Sequence, residues 1–426
     1  MRSTFFSCAI LLGLMWCETK AQFIWEKYGG NPVIREWSFD YDDPNALKYA
    51  LDPTVFYDST EGVFRMWFVS EPYGGSGFFI SSALSPDGYE WYLSFDNPVL
   101  RRDTSTFDFS SIQSPKILRN GNEFRLYYTG IDNGGISRIG LASSPDGKTW
   151  EKYSGNPILT PASAGSWDSR LIGWSDVLKK DSTYYMWYNG DSLGGSHWSG
   201  IGLATSSDGV HWTKYAGNPV FLADTAGWDG YEVATPTVLF KDSLFYMFYQ
   251  GLATPGAYSF GMAFSSDGIN WTRGNSNPIL FHSDGWESVT IGTSDVVFHE
   301  DTFYMWYSGL NAVTNHWQIG LATSTSGLVG IDGTDLDVPH TFKLNQSYPN
   351  PFNSQTFITF DLAGEEHVTI EIYNVLGQKV TTLLDEKRNP GNHRVAFDAS
   401  GLSSGVYLYR LRAGEFAETK MATLLK

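Results

Sequence analysis

Carboxylates are the side chains in this sequence best suited to chemistry, and four of them fall at comparable points near the start of short apolar runs. Asp52 precedes Pro53, Asp176 and Asp295 share the settings Ser175-Asp176-Val177 and Ser294-Asp295-Val296, and Glu232 comes just before Thr235-Pro236. Two carboxyl groups flanking a glycosidic bond are the minimum for its hydrolysis: one protonates the leaving oxygen, and the other activates water or attacks directly. Crowding raises the pKa of one of them, as an acid working near neutral pH requires. On this reading Asp52 and Glu232 are the candidate acid–base pair, with Asp176 or Asp295 tuning them. The repeated setting of Asp176 and Asp295 also fits a scaffold role, whereas Glu232 has no counterpart in the other repeats. Glu71, just past an aromatic strand, and the aromatic faces of Trp174, Tyr231 and Trp198 are candidate substrate-binding groups, with buried packing as the competing reading for each ring.

Internal repetition supplies the elements that must position these residues. Asn-Pro followed by two apolar residues recurs at Asn31, Asn97, Asn156, Asn218 and Asn277, and Ser-x-Asp-Gly-x-x-Trp recurs at Ser85–Trp91, Ser144–Trp150, Ser206–Trp212 and Ser265–Trp271. A third element, Met or Leu before two aromatics, starts at Met66, Leu126, Met186, Met247 and Met305, with spacings of 60, 60, 61 and 58 residues. Each unit reads as four strands, with Asp-Gly as a tight turn between two of them. Four strands per unit and no intervening helical pattern predict a propeller blade, so five units predict a five-bladed β-propeller. The fifth unit lacks its last Trp-containing strand, and Trp25–Pro32 nearly repeats Trp150–Pro157. The N-terminal strand is therefore expected to complete the last blade and leave no free sheet edge. The four carboxylates would then open the innermost strands and converge on the axial funnel. Asp168, Asp229 and Glu287, each after an aromatic-rich Gly-x-Trp or Gly-Trp, read as loop-anchoring acids.

Charge and the chain ends narrow the function class. Residues 22–340 carry 18 basic and 36 acidic side chains, while residues 341–426 balance 9 against 9. So negative a surface repels phosphate backbones, which excludes nucleic acid and disfavours anionic polysaccharides. Arg2, the apolar run Phe5–Cys17 and Thr19-Lys20-Ala21 predict a signal peptide over residues 1–21, cleaved before Gln22. Both cysteines, Cys8 and Cys17, lie inside it, so the mature chain is expected to have no disulfide, thiol nucleophile or Cys-bound metal. The histidines show no metal-ligand spacing, and neither a Walker loop, a dinucleotide fingerprint nor an EF-hand loop occurs. No metal site or cofactor is predicted, apart from room for a Ca2+ ion at the acidic axis.

After Gly327 the period stops. Residues 331–340 read as an acidic, turn-rich linker, and residues 341–426 as a second domain, a small antiparallel Ig-like β-sandwich built on strands such as Phe357–Leu362, Val368–Tyr373 and Val406–Leu411. Leu344–Asn353 (Leu-Asn-Gln-Ser-Tyr-Pro-Asn-Pro-Phe-Asn), Ile372–Gln378, Ser404–Tyr407 and the closing Lys420–Lys426 resemble, in the same order, the type A C-terminal sorting domain of the type IX secretion system of Bacteroidetes-like bacteria. That resemblance implies passage through the periplasm, recognition by the outer-membrane translocon, and release or attachment at the cell surface. Over residues 22–330, the five-unit count, Asp52-Pro53 and the Asn-Pro turns resemble the glycoside hydrolase clan of families 32, 43 and 68, with families 117 and 130. Family 43 implies a base Asp on blade one, a pKa-modulating Asp on blade two and an acid Glu on blade three. Asp52 matches the first, but blade two has Ser114-Pro115, blade three has Asp176, and Glu232 sits a blade later. Ser-x-Asp-Gly-x-x-Trp resembles a shortened sialidase Asp-box, itself structural. The whole reads as an exported all-β protein, monomeric, acting on a neutral glycan. Two other readings stay open: a non-catalytic surface propeller that binds glycan or protein, and a family 130-like phosphorylase using Arg101, Arg102 and Arg170.

Overall fold

The computed structural model describes residues 23–35, 47–72, 77–192, 200–253 and 257–325, and residues 342–426 apart from 346, 348–349, 363, 365, 389–390 and 415. They divide into two compact units, one within Gln22–Ser326 and one within Gly327–Lys426, and both are all-β.

The first unit holds five antiparallel sheets, numbered here in chain order. Their innermost strands are Leu47–Asp58, Ser111–Asn120, Leu171–Lys180, Glu232–Lys241 and Thr290–His299, each followed in its sheet by the aromatic strand and then the Gly-rich or Ser-rich one. Neighbouring innermost strands touch in the order one, two, three, four, five and back to one, so the sheets form a ring. Sheet five takes its outermost strand, Glu26–Lys27, from the chain start, pairing Glu26 with Thr323 and Lys27 with Ala322. Phe23 and Trp25 fill the seam beside it, packing edge-on against Phe248 of sheet four.

The repeated motifs are the cement of this ring. Each Asn of the Asn-Pro motif uses its side-chain amide as a strand edge: Asn156 receives the Leu141 amide and donates to the Leu141 carbonyl, and Asn97, Asn218, Asn277 and Asn31 do the same to Ser82, Leu203, Met262 and Leu321. Each Asp of Asp-Gly caps its own turn, as where Asp208 accepts the Val210 and His211 amides. Buried aromatics of the second strands reach the next sheet's Asp-Gly turn: Trp67 donates to the Gly147 carbonyl, Tyr127 to Gly209, Trp187 to Gly268 and Trp306 to Gly88. The anchoring acids are buried and paired to the outermost strand of their own sheet, Asp168 with Lys214 at 2.6 Å, Asp229 with Arg273 at 2.8 Å and Glu287 with Lys27. Asp108 and Lys152 make the same pair in sheet two at 2.5 Å.

The second unit has a three-stranded sheet (Lys343–Leu344, Gln355–Leu362, Gly391–Asp398) and a four-stranded one ordered Lys379–Arg388, Glu366–Asn374, Gly405–Ala413, Phe416–Leu424. The period-two alternation buries Val368, Ile370 and Ile372 from one sheet with Ile358 and Phe360 from the other in one core.

Candidate axial site

Every innermost strand carries a bulge close to its start, and the bulge aims side chains at the ring's axis. Its first residue is Asp52, Ser114, Trp174 or Thr235 in sheets one to four, with φ between 44° and 50°. The left-handed region is uncommon for non-glycine residues and strained for Trp and Thr, and such strain concentrates at functional sites. In sheet five the corresponding residue is Thr293. Two residues on, Thr54, Lys116, Asp176, Thr237 and Asp295 stand at one level, each opposite an aromatic of the second strand (Trp67, Tyr127, Trp187, Phe248, Trp306). The sequence alignment of strand openings therefore needs a correction. Asp176 and Asp295 are the counterparts of Lys116 and not of Asp52 or Ser114, because the bulges in sheets three and five begin before the Ser-Asp pairs and not at them.

All residues of these two rings except Thr54 and Asp176 line a cavity on the axis of about 20 Å3, room for a water molecule. Of the sequence-derived candidates, Asp52, Trp174 and Asp295 line it, and Asp176 reaches it only through its ion pair with the lining residue Lys116. Asp52, 5% exposed, accepts the Ser114 amide at 3.0 Å and the Thr293 hydroxyl at 2.6 Å, and its own amide donates to Ser308 Oγ. Burial pushes its carboxyl above the ordinary range, and those two hydrogen bonds oppose the rise without cancelling it. Asp295 accepts the Val55 amide at 2.6 Å and the Thr54 hydroxyl at 3.2 Å. Asp176 accepts the Val238 and Val177 amides. The Lys116 ammonium lies 3.0 Å from Asp176 and 2.5 Å from Asp295. Burial raises the Asp176 carboxyl, Lys116 pulls it down, and Asp295 raises it further, so it ends above its usual value. For Lys116, burial works against the charge, but the two carboxylates outweigh it and hold the ammonium protonated. The position left for an axial Ca2+ is thus filled by a lysine ammonium, and among the described residues no group of three or more His, Cys, Asp or Glu could hold a metal.

The other sequence-derived candidates lie away from this cavity. Glu232 is buried at the start of the sheet-four strand and accepts the Tyr258 hydroxyl at 3.1 Å. It precedes cavity-lining Thr235 by three residues, about 10 Å along an extended strand. Burial, then the Glu232 charge, pushes the Tyr258 phenol up. Tyr231, next to it, is 38% exposed. Glu71 stands opposite Tyr49 at the corresponding end of sheet one and pairs with Lys48 at 3.5 Å. Trp198 lies outside the described residues. Arg170 pairs with Asp191 at 3.5 Å, Arg102 donates to the Phe109 carbonyl, and Arg101 covers the Phe79 ring; none of the three lines the axial cavity. Lys116 is the axial residue that sequence reasoning missed. Its signal in the sequence is a lysine two residues beyond Ser114, outside the Ser-Pro and Ser-Asp pairs that mark the strand openings.

Residues 346–423 match the family described as the secretion system C-terminal sorting domain, which marks the protein for export by the type IX system to the cell surface or the medium. No curated protein matches the chain. Solved structures do. One is a glycoside hydrolase, 22% identical with a TM-score of 0.55, covering 65% of this chain and 91% of its own. A β-1,2-mannobiose phosphorylase from Listeria innocua is 13% identical with a TM-score of 0.55, covering 70% and 96%. A thermostable family 43 glycoside hydrolase is 19% identical with a TM-score of 0.51, covering 65% and 89%. At these identities the likeness is one of fold, the β-propeller of glycoside hydrolases.

Proposed function

We propose that the protein is an exported five-bladed β-propeller that hydrolyses a glycosidic bond of a neutral poly- or oligosaccharide at its axial mouth, with Asp52 as base and Glu232 as acid. The observation that carries this reading is the setting of Asp52. It lines the axial cavity, its described partners are neutral donors, and burial lifts its carboxyl, which makes it a stronger base once ionised. A water-sized space against that carboxylate suits a base that activates water. Asp52 and Glu232 come from sheets one and four, which are not neighbours in the ring, so the pair meets a substrate from different sides. The fold neighbours described as glycoside hydrolases, and the one described as a phosphorylase of mannobiose, support a glycan as ligand. In this reading residues 1–21 are a signal peptide, 22–330 the propeller, 331–340 a linker and 341–426 an Ig-like sorting sandwich that meets the translocon.

A second reading, a non-catalytic surface propeller that binds a glycan or a protein, is favoured by Lys116, which occupies two of the four candidate acids. The test is hydrolysis of a panel of neutral plant and algal oligosaccharides by the mature chain, beside Asp52→Asn and Glu232→Gln. Cleavage lost in both variants supports the assignment. Cleavage that survives both moves the chemistry to Asp176, Asp295 or Glu71, and binding without cleavage supports the second reading.

A further inference from the structure

Lys116 is the one position where the axial ring departs from acids and hydroxyls. Thr54, Asp176, Thr237 and Asp295 occupy its level in the other four sheets. From sheet two, its ammonium reaches Asp176 in the adjoining sheet three and Asp295 in sheet five, which does not adjoin sheet two. The far oxygens of both carboxylates are committed to other sheets, Asp295 to Thr54 and Val55 of sheet one and Asp176 to Val238 of sheet four. Sheet four faces the site with Thr235 and Thr237, which do not titrate, and sheet one adds Asp52. Among the described residues the charged axial groups are therefore Asp52, Lys116, Asp176 and Asp295, and of the three acids Asp52 alone has no described cation against it.

We propose that Lys116 is a positioning residue that decides which axial carboxyl is free to exchange protons: its ammonium ties Asp176 and Asp295 into one ion-paired cluster and leaves Asp52 as the axial carboxyl with no described cation against it. Two buried carboxylates at one level, without a cation between them, cannot both stay ionised, and the pair takes up a shared proton. The ammonium removes that competition. A base at Asp52 then works beside a neighbouring pair already bound by a cation. Its importance for catalysis rests on the hydrolytic reading above, but the charge assignment does not.

The test is a carboxyl titration by NMR of the mature chain labelled with 13Cγ-aspartate, in the wild type, Lys116→Met and Lys116→Arg. The expected result is one additional carboxyl group titrating well above the ordinary aspartate range in Lys116→Met, equivalent to about one proton taken up near neutral pH. Lys116→Arg should keep the wild-type curve. In an active protein the kcat/KM–pH profile should move in Lys116→Met, with KM little changed, and return in Lys116→Arg. Identical titrations of wild type and Lys116→Met, or failure of Arg to restore the curve, would overturn the assignment. Should Lys116→Met not fold, the double variant Lys116→Met/Asp295→Asn leaves Asp176 without a cation or a like charge. Its single carboxyl should titrate high by burial, and an unshifted one counts against the proposal. A wild type that cleaves no glycan yet shows the titration difference sinks the hydrolytic reading alone. A wild type that cleaves glycans, with titration unchanged in Lys116→Met, sinks the role of Lys116 alone.

Discussion

The rim and the axis of the ring bury acids against cations, but by opposite rules. At the rim one arrangement repeats: Asp108, Asp168, Asp229 and Glu287 each meet a cation of their sheet's outermost strand, Lys152, Lys214, Arg273 and Lys27. Tyr128, Tyr188 and Tyr249 add a hydroxyl to the first three. Lys27 shows that the rule is structural, since a strand borrowed from the chain start obeys it. At the axis the five sheets contribute Asp, Ser, Trp, Thr and Thr at one level and Thr, Lys, Asp, Thr and Asp at the next. A repeat array that varies only where its elements converge keeps its scaffold in the constant part and its chemistry in the variable one. The rim should therefore govern stability and the axis activity.

The largest expected effect separates the two directly. Asp52→Asn or Glu232→Gln should lower turnover by about 10²–10⁴-fold, as loss of an acid or base does, while the protein stays folded. A rim change does the reverse. Asp168→Ala strands the Lys214 ammonium and the Tyr188 hydroxyl and should cost about 3–5 kcal/mol in urea unfolding, with turnover per folded molecule retained. A smaller loss, about 1–2 kcal/mol, is expected for Trp187→Phe, which removes the buried bond to the Gly268 carbonyl but keeps an aromatic ring.

Acidity adds a second contrast, between the axis and a repeated turn, because Asp52 and the turn acid Asp267 shift in opposite senses. The Asp52 carboxyl is raised by burial, so its ionisation costs the folded state: its favourable contribution is full below the unfolded pKa and is lost as pH rises through the folded one. Asp52→Asn should therefore gain on the wild type, in urea midpoint, between acid and neutral pH. A constant gap between the two would break this part of the account. The turn acid Asp267 goes the other way. Burial opposes its charge, but the Asn270 and Ile269 amides outweigh it and hold the carboxyl at about 2. Its contribution is present above the unfolded pKa and disappears as pH falls through the folded value. Exposure and salt keep it small, and Asp267→Asn should flatten only the acid end of the stability curve.

Much of the scaffold is legible in the sequence because it repeats. Asn-Pro, Asp-Gly and the paired aromatics recur with near-constant spacing since each performs one local job in every sheet, and Trp25–Pro32 exposes the seam by matching Trp150–Pro157. The axis is legible only in part. Asp52, Asp176 and Asp295 stand out as acids at strand openings, but their relative register depends on where each bulge begins, a backbone feature without its own residue signature. Lys116 is illegible for the same reason: aligned by Ser-Pro and Ser-Asp pairs it has no counterpart, whereas aligned by bulges it shares the level of Asp176 and Asp295. Glu232 stands out by its uniqueness among the repeats, but the strand geometry that sets it some distance from the cavity cannot be read from spacing alone.

The most direct test of the division between rim and axis is turnover per folded molecule on a cleaved oligosaccharide, measured in parallel for the wild type, Asp52→Asn and Asp168→Asn with the folded fraction taken from unfolding curves. The account predicts that Asp52→Asn is folded and inactive, while Asp168→Asn is less stable but turns over normally once folded. A folded Asp52→Asn that cleaves at the wild-type rate would contradict it.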